Sequence, residues 1–164
     1  MANTYTQIYL QVVFVVQGRQ CLIRPEHQTE LYKYITGIVS HREQKLIAIN
    51  GVADHVHLLV GMKPDIALSD LVRDIKTGSS NFINKQRWVR GRFNWQEGFG
   101  GFSYGHSQLA TVIHYIQNQA QHHQQRSFKS EYLTLLRKFD IAFREEYVFD
   151  FIEDQEAAPH GARD

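Results

Sequence analysis

The chain has 164 residues, of which 43% are hydrophobic and 21% charged, with a formal net charge of +1. That length supports one domain with its own core, and the composition excludes a disordered or collagen-like chain. No apolar run approaches the ~18 residues of a membrane span, no basic-then-apolar leader is visible, and the single cysteine, Cys21, excludes an internal disulfide; a reducing cytoplasm is the expected location.

Tyr5 to Val16 is rich in Ile, Val, Tyr and Phe. It alternates at first and then becomes a continuous apolar run, which predicts a strand covered on both faces. Pro25 and Glu26 suit the first turn of a helix, and Leu31, Tyr34, Ile35, Ile38 and Val39 recur at helical spacing, so residues 25–43 read as an amphipathic helix. Lys45 to Val52 and His55 to Gly61 read as two strands with a tight connection; Asn50-Gly51 is a strong turn dipeptide, and the apolar Val52-Ala53 after it leaves the boundary open. Ser69 is a plausible N-cap for a second helix carrying Leu71, Val72, Ile75, Phe82 and Ile83. Gly78-Ser79-Ser80 lies within that helix without a clear stop. Gly101 to His106 is expected as a fourth strand, entered from an aromatic, glycine-rich loop. One helix from Ser107 to about Arg126 and another over residues 129–143 complete the order.

The resulting β-α-β-β-α-β order, followed by helices, predicts an α+β, ferredoxin-like (RNA-recognition-like) antiparallel sheet. A single domain over residues 1–154 and a disordered tail over 155–164 are expected. Charge is unevenly placed. Residues 73–92 carry a local charge of +5, and residues 140–164 carry −6. The basic segment, with Lys85, Arg87, Arg90 and Arg92 at its end, is either a phosphate-binding face or a solvated loop. Trp88 suits either base stacking or packing.

Chemistry concentrates in two places. His55 and His57 alternate with Val56 and Leu58, so on a strand both imidazoles share one face and suit a divalent metal. Tyr115 and Gln119, four residues apart, share a helix face, with His122 near the same stripe. A phenol can attack a phosphodiester, but its pKa near 10 means that it needs help losing its proton.

Taken together, Asp54-His55-Val56-His57-Leu58-Leu59-Val60, Trp95-Gln96-Glu97-Gly98-Phe99, Tyr115-Ile116-Gln117-Asn118-Gln119 and His122-His123 resemble the HUH-type single-strand tyrosine transposases. Phe128, Glu131, Tyr132 and Leu135-Leu136 continue the resemblance, which runs from about Tyr5 to Ile152. It implies that His55, His57 and Gln119 hold one divalent ion, Mg2+ or Mn2+. It implies that Tyr115 is the nucleophile joined to a DNA 5′-phosphate. It also implies single-stranded, hairpin-forming DNA ends as substrate and a homodimer in which the tyrosine helix can lie against the partner's histidine pair, with each active site built either within one chain or from both. The competing reading is a non-catalytic single-stranded nucleic-acid-binding module on the same fold.

Overall fold

A computed structural model describes residues 3–144 together with Val148. Its centre is strand β1 (Tyr9–Val15), buried on both faces as its apolar run requires. The first helix, α1 (Pro25–His41), follows and leads to β2 (Lys45–Val52) and β3 (His55–Gly61). Helix α2 (Leu68–Gln86) leads through a long loop to β4 (Gly100–Tyr104). The strands form one antiparallel sheet in the order β2-β3-β1-β4. This is the ferredoxin-like arrangement expected from the chain order.

The pleat divides the sheet into two differently covered faces. Val12 and Phe14 of β1, with Val56, Leu58 and Val60 of β3, pack against Leu31, Ile35 and Val39 of α1 and Leu71, Val72 and Ile75 of α2. Each fully buried aliphatic side chain contributes about 1.5–3 kcal/mol. Gly78 allows α1 and α2 to approach closely, since a β-carbon there would lie 2.8 Å from Ile38 Cδ1. The second face carries Val13, Val15, Phe102, Leu59 and both histidines, and is covered by the chain after β4.

That later chain departs from a single long helix. A short 3-10 turn, His106–Gln108, leads to α3 (Leu109–Gln117) and α4 (Gln119–Gln125), which are separated at Asn118. The Asn118 side chain donates to His114 O at 2.8 Å, and Asn50 Nδ2 from β2 donates to Gln117 O at 2.9 Å. Side-chain amides thus compete with continued helical bonding. Helix α5 (Phe128–Lys138) is capped by Ser127, which accepts from Ser130 N. It ends five residues earlier than expected, as Asp140 enters the left-handed region at φ 55°.

Other boundaries also differ. β1 starts at Tyr9 because β3 ends opposite it at Gly61 and β4 ends opposite it at Tyr104, leaving earlier residues without partners in the ladder. Helix α2 is capped by Ala67 rather than Ser69, with no side-chain cap bond. The β2–β3 turn is Ala53-Asp54, so Asn50-Gly51 lies within β2. Backbone bonds from Ile23 N to Ala53 O and Val16 N to Asp54 O hold that turn in place. The expected tail over 155–164 lies outside the described residues. No helix among the described residues is long and apolar enough to cross a membrane.

Gly51 is required by close backbone approach. A β-carbon there would lie 2.2 Å from His55 O and 3.0 Å from Val56 Cα. Gly51→Ala is expected to destabilise the protein by about 1–3 kcal/mol, because β3 rather than a flexible side chain must move. Urea unfolding checks this; an unchanged midpoint would contradict the close approach.

Candidate metal centre and nucleophile

The alternation of β3 brings His55 and His57 to the second face, where both are fully buried. Each is oriented by a neighbour through its Nδ1. Asp54 Oδ1 lies 2.7 Å from His55 Nδ1, and Gln11 Nε2 lies 2.9 Å from His57 Nδ1. Gln11 is itself buried, and its Oε1 accepts from the Tyr104 hydroxyl at 2.9 Å. Partners of this kind fix ring orientation and leave Nε2 directed at the site.

Helix α5 closes the site from above. Phe128 stacks on His55 with ring centroids 4.0 Å apart. One turn later, Glu131 extends its carboxylate into the cluster from the first turn of the helix, where the dipole favours negative charge. Glu131 Oε1 lies 2.7 Å from His57 Nε2, and Oε2 lies 2.9 Å from His123 Nε2. Burial alone would push the Glu131 carboxyl pKa up; His123, His57 and Tyr115 outweigh it and hold the group well below the usual carboxylate range. Burial is also the main cause that lowers His57 to about 4, which keeps its imidazole neutral near pH 7.

The break at Asn118 places Tyr115 and Gln119 on separate helices, but both still reach the cluster. Gln119 is fully buried, with Oε1 3.3 Å from His55 Nε2 and 3.2 Å from His123 Nε2. The Tyr115 ring meets His57 edge-on at 5.7 Å and His122 at 4.8 Å. Burial raises the Tyr115 phenol pKa well above its ordinary value, and the Glu131 charge adds to that rise.

One chain therefore gathers His55, His57, Tyr115 and Gln119. Within this chain the tyrosine helix lies against its own histidines, held by the Asn50 bond to α3. Sequence reasoning missed Glu131, Gln11 and His123 as members of the cluster. Glu131 did carry a signal: it lies three residues after Phe128 and four before Leu135, so a carboxylate occupies a buried apolar stripe.

His55, His57 and Glu131 present ligand atoms that all lie within 4.8 Å of one another. His57 Nε2 and both Glu131 oxygens are buried, and the contacts they make are with other members of the cluster. Two imidazoles and a carboxylate gathered this closely make a donor set that fits a cation.

Lys85, Arg87, Arg90 and Arg92 are elsewhere. All four are exposed and make no ion pair among the described residues. Asn84 closes the base of their loop through paired bonds with the Phe93 backbone. Neighbouring Trp88 and Val89 pack on the α1–α2 core, on the opposite face from the histidines. Trp88 stacks on His27 with centroids 4.3 Å apart, so packing already engages its ring.

The family model described as "Transposase IS200 like" matches residues 4–119. Two solved structures are similar. One, assigned as a transposase from Deinococcus radiodurans R1, has 20% identity and a TM-score of 0.58, covering 73% of this chain and 95% of that one. The other, a REP-associated tyrosine transposase bound to a REP hairpin, has 17% identity and a TM-score of 0.55, covering 75% of this chain and 74% of that one. At these identities the structural likeness supports the fold alone. No curated protein matches the chain.

Proposed function

The chain belongs to the IS200-like transposase family, and from that premise we propose that it cleaves and rejoins single-stranded DNA through a covalent Tyr115–5′-phosphate link, assisted by one divalent cation. The observation that carries this reading is the placing of the Tyr115 phenol beside His57 in a buried His55–His57–Gln119–Glu131 cluster within one chain. The neighbour solved with a REP hairpin supports hairpin-forming strands as the DNA, and the family supports excision and insertion of an insertion sequence as the biological outcome.

In the forward step, Tyr115 Oη forms a bond to phosphorus and the P–O3′ bond breaks. The phenol proton is lost, and the departing 3′-oxygen gains a proton to become a hydroxyl. Rejoining reverses these changes: a 3′-hydroxyl attacks phosphorus and the tyrosine oxygen leaves. The transfer needs no ATP, because the phosphotyrosine link preserves the bond energy.

Two imidazoles, an amide oxygen and a carboxylate would suit Mn2+ or Mg2+. A cation bound there would counter negative charge developing on the phosphate and the opposing field at the phenol. Gln11 suits such a role because its amide can present nitrogen or oxygen to His57 Nδ1, serving either tautomer. Incubation with single-stranded DNA from the gene's flanks and Mn2+ should give a protein–DNA adduct that survives denaturing electrophoresis. The adduct should disappear with excess chelator; no adduct with any flanking strand would contradict the proposal.

A homodimer, as the resemblance implies, would serve to hold two DNA ends together, with each site built from the residues of one chain. Mixing His57→Ala and Tyr115→Phe proteins, with subunit exchange, should restore no cleavage. Recovery would show sites shared between subunits.

The exposed arginines would contribute a separate tracking surface. Neutralising Arg87, Arg90 and Arg92 together should lower the slope of log affinity against log salt by about 2, at ~0.7 for each phosphate no longer neutralised. An unchanged slope would make the segment a solvated loop.

A further inference from the structure

A cleft of about 400 Å³ lies beside Tyr115, between α3 and α5. Gln108, Thr111, Val112 and Tyr115 line one wall at positions i, i+3, i+4 and i+7 of the chain. Glu131, Thr134, Leu135 and Lys138 repeat that spacing on the other wall. Such stripes ordinarily meet each other in a helix seam. Here they stand apart over Tyr104, and none of the clustered histidines lines the opening.

The lining is chemically divided. Val112 and Leu135 are buried and apolar, whereas Thr111 and Thr134 are exposed hydroxyls. Lys138 lies over the Tyr104 ring at 5.7 Å, and Arg126 reaches Thr134 Oγ1 at 3.5 Å. Neither cation has a carboxylate partner among the described residues. Apolar walls, hydroxyls and two unneutralised cations are complementary to a base, a sugar and a phosphate, and the volume falls within the range of small-molecule sites.

We propose that this cleft holds the nucleoside on the 3′ side of the scissile phosphate, with Lys138 and Arg126 on the next phosphate along the strand. The inference rests on the strand-transfer reading above. In an in-line displacement, the departing 3′-oxygen lies opposite the attacking phenol oxygen. The nucleoside retained through its 5′-phosphate stays beside Tyr115, and the cleft is the cavity that Tyr115 itself lines. The site therefore selects the first retained nucleotide and holds it while the other strand departs.

The test uses the full chain and the four deoxynucleoside 3′,5′-bisphosphates, titrated by calorimetry. At least one should bind, and more tightly than its 5′-monophosphate. Lys138→Gln should weaken binding at least ~10-fold, the scale of one charge-assisted hydrogen bond. Thr111→Trp should block it by filling the cleft, while both variants keep the melting temperature and Mn2+ binding of the parent. No bisphosphate binding, or binding indifferent to both variants, would overturn the proposal. Adduct formation provides the second measurement: an abasic site at the first retained position should impair it more than one at the last departing position. Adducts without that difference would overturn the cleft assignment and leave strand transfer intact. Bisphosphate binding without any adduct would support the cleft and overturn strand transfer.

Discussion

Tyr115→Phe is expected to reduce adduct formation at least ~10⁴-fold, the scale on which loss of a nucleophile acts. The substitution removes one oxygen from a half-buried ring and leaves the edge contact with His57 and the tilted contact with His122 available. Folding and DNA binding should therefore persist, separating chemistry from recognition. Tyr104 and Tyr132 provide internal comparisons. Tyr104 donates to Gln11, and Tyr132 packs against Phe102 and Phe128. A wild-type adduct mapped by mass spectrometry to either tyrosine would contradict the assignment.

The second large effect is expected at Glu131. Glu131→Gln preserves size but removes the negative charge shared by His57 and His123. Mn2+ affinity should fall ~10–100-fold, the range over which a carboxylate supporting a metal site acts. At a Mn2+ concentration saturating the parent, a 100-fold loss would remove up to about 2.7 kcal/mol of ligand-linked stability. For a domain of this size, the Mn2+-induced rise in melting temperature would shrink by about 5–10 °C. The metal-free melting temperature should change much less, because removing a buried charge offsets the weaker bonding to both histidines. Equal Mn2+-induced shifts in parent and variant would place the carboxylate outside the metal site.

His55 and His57 were legible because a strand has a period of two: Val56 and Leu58 fix one face and leave both imidazoles on the other. The bounds of β2 and β3 followed from the same alternation. Asn50-Gly51 nonetheless lies within β2, because tertiary contacts override its strong local turn preference. Asn50 bonds to α3, and Gly51 passes close to the β3 backbone. The helix break at Asn118 was hidden for a related reason, since one of the two amides that produce it comes from a distant strand. Glu131 was recognisable as a charge in an apolar stripe, but its contacts with His57 and His123 depend on how α5 crosses the sheet. Gln11 carried still less signal, as a single amide in an apolar strand whose partners lie 46 and 93 residues away.

The two-residue Ala53-Asp54 turn has a consequence for protein engineering. Hairpin connections are ordinary places to insert an epitope, fuse a reporter or create new chain ends. This one has little spare capacity. Its two carbonyls accept from Ile23 and Val16, and the Asp54 carboxylate orients His55. An added residue would shift the backbone at the first histidine and break the tether to β1 together. The Arg90-Gly91-Arg92 apex is a better graft point: its side chains are exposed, while Asn84 clamps the loop below it through Phe93. A grafted peptide there would leave the histidine-bearing hairpin at its present length.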